Sequence, residues 1–397
     1  MIALAVLVCF SPVSRSAHAQ GAEPVPAAAL DGPPGDSGLH YVYYEGDFDT
    51  VLDLEGQAPA REGTIASFAF PEGIRRDQFG LELFGAVEVP SDGTYTFTTT
   101  SDDGSRLYIG TTLVVANDYP HGAQKKEGSV GLKAGRHPIY VAYFEGVVDE
   151  VLEVTWKGPG VDEGPIPESA LTQYPKVVAF PADGVTTTEL EWPDRNARLS
   201  VTVDTRDAPD ASFLAQAVPD TLREYYPTLL SLLAVEGQEL PSEVRFSVRP
   251  DVGNPAYASG GRIVLDAGWF AAHPGDLGCI VHEVAHLVQA YRGFEGMPAW
   301  LVEGIADYAR HQANVGDGWR IPDAFREGTS YTNGYGITAA FLVYLEGRYD
   351  PKLVRELHLA LKDGTYKPSL FEDLCGKPLD DLWVEYAAAP GTAPHAQ

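Results

Sequence analysis

The sequence predicts two folds in series: an all-β domain of barrel or sandwich type, then an α+β domain. Three observations predict it. Between residues 38 and 158, short segments alternate apolar and polar side chains with period two, separated by Gly and Asp turns. Beyond residue 204 the apolar period lengthens to that of helices. At 397 residues, with 44% hydrophobic side chains, the chain is long enough for two cores.

The first twenty residues, "MIALAVLVCFSPVSRSAHAQ", hold a short apolar run, a break at Ser11-Pro12 and a small-x-small end, "AHA". This is the pattern of an export signal over residues 1–19, cleaved after Ala19, and it implies a secreted or periplasmic protein. Val8 stands where a lipoprotein cysteine needs a small neighbour, so Cys9 is a poor attachment site. Residues 20–37, rich in Ala, Pro and Gly, read as a disordered lead. No later stretch is long and apolar enough to span a bilayer. The formal charge of −28 argues against nucleic acid and anionic membrane surfaces as partners.

The β domain is expected over residues 38–174, on the segments "TYTFTTT", "RLYIG", "HPIYVAYFE" and "LEVTWKG". "GPGVDEGPIPES" marks its exit, and residues 175–196 read as a linker within a strand-like bridge over 176–204. The second domain is expected over residues 197–388. "AQAVPDTLREYYPTLLSLL" has helical spacing, "SEVRFSVRP" reads as a strand, and "GGRIVLDAGWF" as a second strand opened by glycines. Helices follow at 276–291, 298–313 and 335–348, with Asp276 as an N-cap and Pro298 in the first turn of its helix. Residues 389–397 read as a flexible tail. With the signal removed, Cys279 and Cys375 remain. An oxidising compartment permits a bridge between them, while a buried free thiol is the commoner state.

The chemistry concentrates in "HEVAHLVQAYRGFEGMPAWLVEGIAD", residues 282–307. On a helix His282 and His286 share one face, so both imidazoles can reach one ion, and Glu283 can reach a water rather than the metal. Glu303 follows on the next helix after a turn-like loop long enough to double back, which offers a third ligand. Asp307, one turn later, could accept the outer N–H of a liganding histidine. Burying two imidazoles with three carboxylates is costly unless a cation joins them. The donor set favours zinc. His311 reads as a solvated helix residue.

"HEVAHLVQAY", "PAWLVEGIADYARHQA", "GYGITAAFLVYLE" and "LCGKPLDDLWVEYA" resemble the basic secretory protein family of plant metallopeptidases, over about residues 197–388. That family is grouped with the gluzincins. The resemblance implies a zincin-like fold, with Zn2+ on His282, His286 and Glu303, Glu283 as general base and Asp307 as a supporting acid. Tyr335 is the candidate donor to the oxyanion, and Tyr331 the second. The resemblance also implies that "GRIVLDAG" forms an edge on which an extended peptide or protein substrate pairs.

"GTYTFTTTSDDGSRLYIG", "HGAQKKEGSVGLKAGRHPIYVAYFEG", "LEVTWKGPG" and "IPESAL" resemble the protective-antigen fourteen-kilodalton domain, over about residues 38–174. In sugar-binding members an Asp-Asp pair coordinates calcium, which holds sugar hydroxyls. The resemblance places Asp102 and Asp103 in that role, with Asn117 and Asp118 nearby as oxygen ligands for Ca2+ and a glycan as partner. "SDDGS" is also a good turn without any ion. Two functions follow: an exported zinc metallopeptidase whose β domain targets glycans, or a calcium-dependent adhesin-like protein with an inactive peptidase scaffold.

Overall fold

The computed structural model describes residues 29–181, 183–250, 252–259, 262–291 and 297–389, which form two compact units dividing between residues 182 and 183. The expected export signal, half of the expected lead and most of the expected tail lie outside the described residues.

The first unit is all-β and antiparallel, as its period-two patterning requires. Its strands are β1 (Leu39–Glu45), β2 (Arg61–Ile65), β3 (Phe79–Val89), β4 (Gly93–Asp102), β5 (Ser105–Ile109) and β6 (Thr112–Asn117). They continue as β7 (Gln124–Leu132), β8 (Gly135–Glu145), β9 (Val151–Gly158), β10 (Val161–Pro165) and β11 (Leu171–Thr172). One sheet runs β2-β1-β3-β8-β5-β6 with β11 on β3; the other runs β10-β9-β4-β7. Alternate residues Tyr95, Phe97 and Thr99 of β4 point inward, and Tyr95 stacks on Trp156. They meet Phe79, Leu81, Leu83 and Tyr143 of the facing sheet in one core. Along one margin the sheets approach so closely that a Cβ on Gly128 would lie 1.7 Å from the Val114 carbonyl oxygen.

The outer face of the larger sheet is also covered, by Phe48, Leu54, Val178 and Phe180 around Tyr108 and Tyr140. This corrects the linker expected at 175–196. Its first part is a strap on the β unit, fastened where Lys176 Nζ donates to buried Glu82 at 2.7 Å. Glu82 also accepts from the hydroxyls of Tyr44 and Tyr140 at 3.1 and 2.7 Å. The end of the lead is tied down as well, since Leu30 N donates to Arg136 O at 2.6 Å and Gln173 N to Asp36 O at 2.7 Å.

The rest of the expected linker is strand β12 (Val185–Trp192), paired along its length with β13 (Ala197–Asp204). Its alternation is real, and Trp192 at its end packs on Tyr226, which a free linker would leave exposed. The chain continues through α1 (Leu214–Leu233), β14 (Glu243–Arg249), β15 (Ala256–Ser259), β16 (Arg262–Asp266) and α2 (Ala267–Ala272). Then come α3 (Gly278–Gln289), α4 (Ala299–Ala313), α5 (Tyr335–Arg348), α6 (Leu353–Lys362), α7 (Leu370–Cys375) and α8 (Leu379–Ala388). The sheet order is β12-β13-β14-β16-β15, with β13, β14 and β16 parallel and the outer strands antiparallel.

Two expectations are corrected here. "GRIVLDAG" is not the edge, because residues 256–259 fold back as a hairpin and β15 takes that place. Nor does the strand run on through "AGWF". The Asp266 carboxylate accepts from Trp269 N at 2.5 Å and starts α2, an N-cap overriding the apolar run.

The sheet buries Val201, Val203, Phe246, Val248, Ile263 and Leu265 beneath α1 and α3. Buried His358 of α6 completes the packing. Its Nε2–H donates to Leu233 O at 2.7 Å, so Nδ1 accepts from the Tyr291 hydroxyl at 2.8 Å. Burial pushes the pKa of this imidazole down to about 4. Cys279 and Cys375 are both free and buried.

Candidate functional site

The periodicity of α3 sets the site. His282 and His286, four residues apart, project from one face; His282 and Glu283 are buried and His286 is half-buried. Ala290, in the left-handed region at φ 45°, closes the helix. The turn-like loop lies largely outside the described residues, at 292–296, and Pro298 is the N-cap of α4 rather than a first-turn residue.

Polar contacts at both ends hold α3 and α4 antiparallel. At one end Arg310, near the end of α4, reaches Asp276 Oδ1 at 2.8 Å and Asp317 Oδ2 at 2.7 Å, and its guanidinium lies over Trp319. Asp317 in turn accepts from Gly278 N, the first N–H of α3, at 3.0 Å. Asp276 is therefore not the cap expected from sequence: Arg310 and the Trp269 indole occupy its carboxylate, and the cap comes from Asp317. At the other end Gln289, buried in the last turn of α3, donates to Val302 O at 3.2 Å.

This frame brings three donors together. His282 Nε2 lies 3.1 Å from Glu303 Oε2, His286 Nε2 lies 3.4 Å from the same oxygen, and the two Nε2 atoms are 3.2 Å apart. Four donors at tetrahedral angles and about 2.0–2.1 Å from zinc would be about 3.3 Å from one another. His282, His286 and Glu303 can thus hold one ion without rearrangement. The outer nitrogens are held too: His282 Nδ1 on Asp307 Oδ1 at 2.7 Å, and His286 Nδ1 on Gln289 Oε1 at 2.8 Å. Gln289 escaped the sequence reading. Its spacing of three from His286 is a usable signal, but its second partner is a backbone carbonyl on another helix.

Without a cation the electrostatics are strongly perturbed. Burial disfavours the Glu303 carboxylate, yet the hydrogen bonds from His282 and His286 outweigh it and hold the pKa well below the usual range. Burial likewise opposes the His282 imidazolium, and Asp307 and Glu303 outweigh it to raise the pKa well above the usual value. A site that stabilises positive charge so strongly is suited to a divalent ion.

Tyr335 stands over this cluster, its ring stacked on His282 with centroids 5.8 Å apart. It opens α5 at φ 50°, a conformation few tyrosines adopt. Burial, and then the charges of Glu303, Glu283 and Asp307, push its phenol above the ordinary range. Tyr331 does not share this environment. Its hydroxyl donates to Asp380 at 2.8 Å and its ring packs between Trp300 and Trp383, which removes it as the second donor. His311 is half-buried rather than solvated, and burial holds its pKa down.

In the β unit the structure gathers Asp102, Asp103 and Glu145, whose ligand atoms lie within 4.8 Å of one another. The peptide bond between the two aspartates is cis. Burial raises all three carboxyl pKa values, with Glu145 pushed up to about 8, where the charges of Asp103 and Asp102 add to the effect of burial. Glu145 was not foreseen, and its Oε1 is buried with no hydrogen-bond partner among the described residues. Asn117 Oδ1 is buried and unpartnered in the same way. Asp118 is corrected: its carboxylate accepts from Thr50 Oγ1, Val51 N, Tyr119 N and Arg106 Nε, so it neutralises a buried guanidinium.

Comparison with known proteins agrees with this division. Residues 35–170 match the PA14 domain, and residues 243–386 match the family described as a peptidase of plants and bacteria, BSP. The chain carries a PA14 domain followed by a BSP-type peptidase domain. The anti-sigma-I factor RsgI3 of Acetivibrio thermocellus is 27% identical over 154 residues, which are 37% of this chain and 22% of that protein. Thus this chain spans under a quarter of that relative's length. Among solved structures, an anti-sigma factor domain-containing protein is 22% identical, with a TM-score of 0.32, covering 39% of this chain and 54% of that one. The PA14 domain of the antifreeze protein MpAFP is 19% identical, with a TM-score of 0.31, covering 38% and 98% of the two chains. The A domain of epithelial adhesin 6 from Candida glabrata, solved with Galb1-3GlcNAc, is 14% identical, with a TM-score of 0.31, covering 38% and 95%.

Proposed function

We propose that the BSP-type domain is a zinc-dependent peptidase of the gluzincin kind, acting on extracellular proteins or glycoproteins. The observation that carries this reading is the triangle of His282 Nε2, His286 Nε2 and Glu303 Oε2, with sides of 3.1 to 3.4 Å. When bound, the ion would supply Lewis acidity to a scissile carbonyl and lower the pKa of a water. Glu283 takes the proton from the attacking water and returns it to the departing amine. The Tyr335 hydroxyl donates to the oxyanion as it develops. Asp307 keeps the His282 ring oriented through Nδ1. The outer margin of β15 offers backbone groups to an extended substrate strand.

The PA14 domain, on this reading, holds a calcium ion on Asp102, Asp103 and Glu145 and presents it to glycan hydroxyls. The buried, unpartnered Glu145 Oε1 supports a cation there. The competing reading, an adhesin with a dead peptidase scaffold, would not need Glu283 and Tyr335 to lie beside the cluster of His282, His286 and Glu303. The export pattern of residues 1–19 supports a place outside the cytoplasm, and no described helix is long and apolar enough to cross a membrane.

The deciding experiment pairs metal analysis with casein cleavage. About one zinc per chain, lost in Glu303→Ala, and cleavage lost in Glu283→Gln while the metal stays, is the expected pattern. A metal-free wild type, or full cleavage by Glu283→Gln, would reject the peptidase reading.

A further inference from the structure

Two imidazoles converge on the site, and their outer nitrogens face partners of different charge: a carboxylate for His282 and an amide for His286. We infer that Gln289 is the positioning residue that fixes the tautomer of His286 and joins its ring to the segment carrying Glu303. This rests on the metal reading above and extends it to a residue outside the ligand set.

The amide has only one workable orientation. Gln289 is 1% exposed, so both ends of its side chain must find partners inside the protein. One end lies 3.2 Å from Val302 O, which can only accept, so that end is Nε2. The other end is then Oε1, also a pure acceptor, 2.8 Å from His286 Nδ1. Nδ1 must therefore carry a proton, so Nε2, facing His282 Nε2 and Glu303 Oε2, is the nitrogen that offers its lone pair to an ion once its hydrogen bond to Glu303 is released. Had an acid stood at 289, a fourth carboxylate would have entered a region already holding Glu283, Glu303 and Asp307. The amide sets the tautomer without adding charge.

The second hydrogen bond gives the residue its reach. Val302 immediately precedes Glu303, so one side chain spans from a ligand on α3 to the peptide beside the ligand on α4. The end of α3 that carries Gln289 is itself held, since Gln238 Nε2 donates to Val288 O at 2.7 Å and Lys362 Nζ to Gln289 O at 2.8 Å. The bridge is thus built between anchored elements.

The test uses the full chain and zinc alone. Nitrogen-15 spectra of the metal-free wild type should show His286 protonated on Nδ1. Gln289→Met, similar in size but unable to accept, should bind zinc about 10–100-fold more weakly in a chelator competition. Gln289→Glu, which keeps the acceptor, should retain the Nδ1–H form and bind zinc far better than the Met variant. Should the Met variant fail to fold, the wild-type spectrum alone decides, and a His286 Nδ1 without a proton would overturn the inference. Wild-type affinity in a folded Gln289→Met, or equal losses in both variants, would overturn it too. If wild type itself binds no zinc, the metal reading fails instead, and the spectrum still reports on the tautomer.

Discussion

Gly304 and Thr338 touch where α4 crosses α5: a Cβ placed on Gly304 would stand 2.2 Å from Thr338 Cγ2. Thr338 is fully buried and donates to Tyr331 O at 2.6 Å, so it cannot swing aside cheaply. That close approach sets the position of the first turn of α5, and with it Tyr335 over His282. Gly304→Ala should cost about 1–3 kcal/mol by overpacking. On the proposed mechanism it should also lower kcat more than it raises KM, because it moves Tyr335, the proposed oxyanion donor, rather than β15. Urea melts and steady-state kinetics check this; a destabilised variant with unchanged kcat would separate Tyr335 from the chemistry.

Arg310, buried with the Asp317 carboxylate and also touching the partly exposed Asp276, joins α3 to α4. Removing the guanidinium leaves two carboxylates without a counter-ion. Arg310→Met should lose about 3–5 kcal/mol, the usual cost of stripping one partner from a buried ion pair. Weaker zinc retention should accompany it, since Asp317 also caps the helix bearing His282. A melt within 1 kcal/mol of wild type would show that the clamp contributes little.

The buried imidazole of His358 predicts how acid affects the fold. Its pKa is about 4 in the folded chain against an ordinary 6.5, so the unfolded chain binds the extra proton first. The stabilisation it gives at neutral pH should therefore drain away as pH falls from about 6.5 to about 4. In His358→Gln the wild type's advantage, measured as urea midpoints at pH 7 and pH 4.5, should shrink at the lower pH. A gap that stays constant would mean that the imidazole is not neutral inside.

In the PA14 domain, the neighbouring acids should behave oppositely. Asp118→Asn should weaken the domain, by removing the carboxylate charge 2.7 Å from the buried Arg106 guanidinium, yet spare cation binding. Glu145→Gln should do the reverse, weakening terbium luminescence binding while the melt holds or improves. Loss of terbium in Asp118→Asn, in a folded protein, would return that residue to the ion.

What the sequence made legible is local. The helices at 276–291, 298–313 and 335–348 appear within two residues as α3, α4 and α5, because i, i+4 spacing depends only on the chain's own period. The pair His282 and His286 could be placed on one face for the same reason, whereas Glu303, on the next helix, was joined to them by a loop long enough to double back. The strand that stops at Asp266 was missed for a local cap, but the misread side chains of the sites depend on distant partners. Asp118 looked like an oxygen ligand until Arg106 claimed it, and Asp276 looked like a cap until Arg310 did. "GRIVLDAG" looked like an edge because strand order depends on where residues 256–259 return. Glu145 lies forty-odd residues from the Asp pair, and only the register of β8 beside β5 brings them together.

The open flank of β15 restricts what such an enzyme could cut. A polypeptide can lie against a sheet margin only where a row of its own backbone N–H and C=O groups is free, as in extended loops and tails. Compact globular targets would be spared until something unravels them, and the natural diet would be loops, tails and damaged chains.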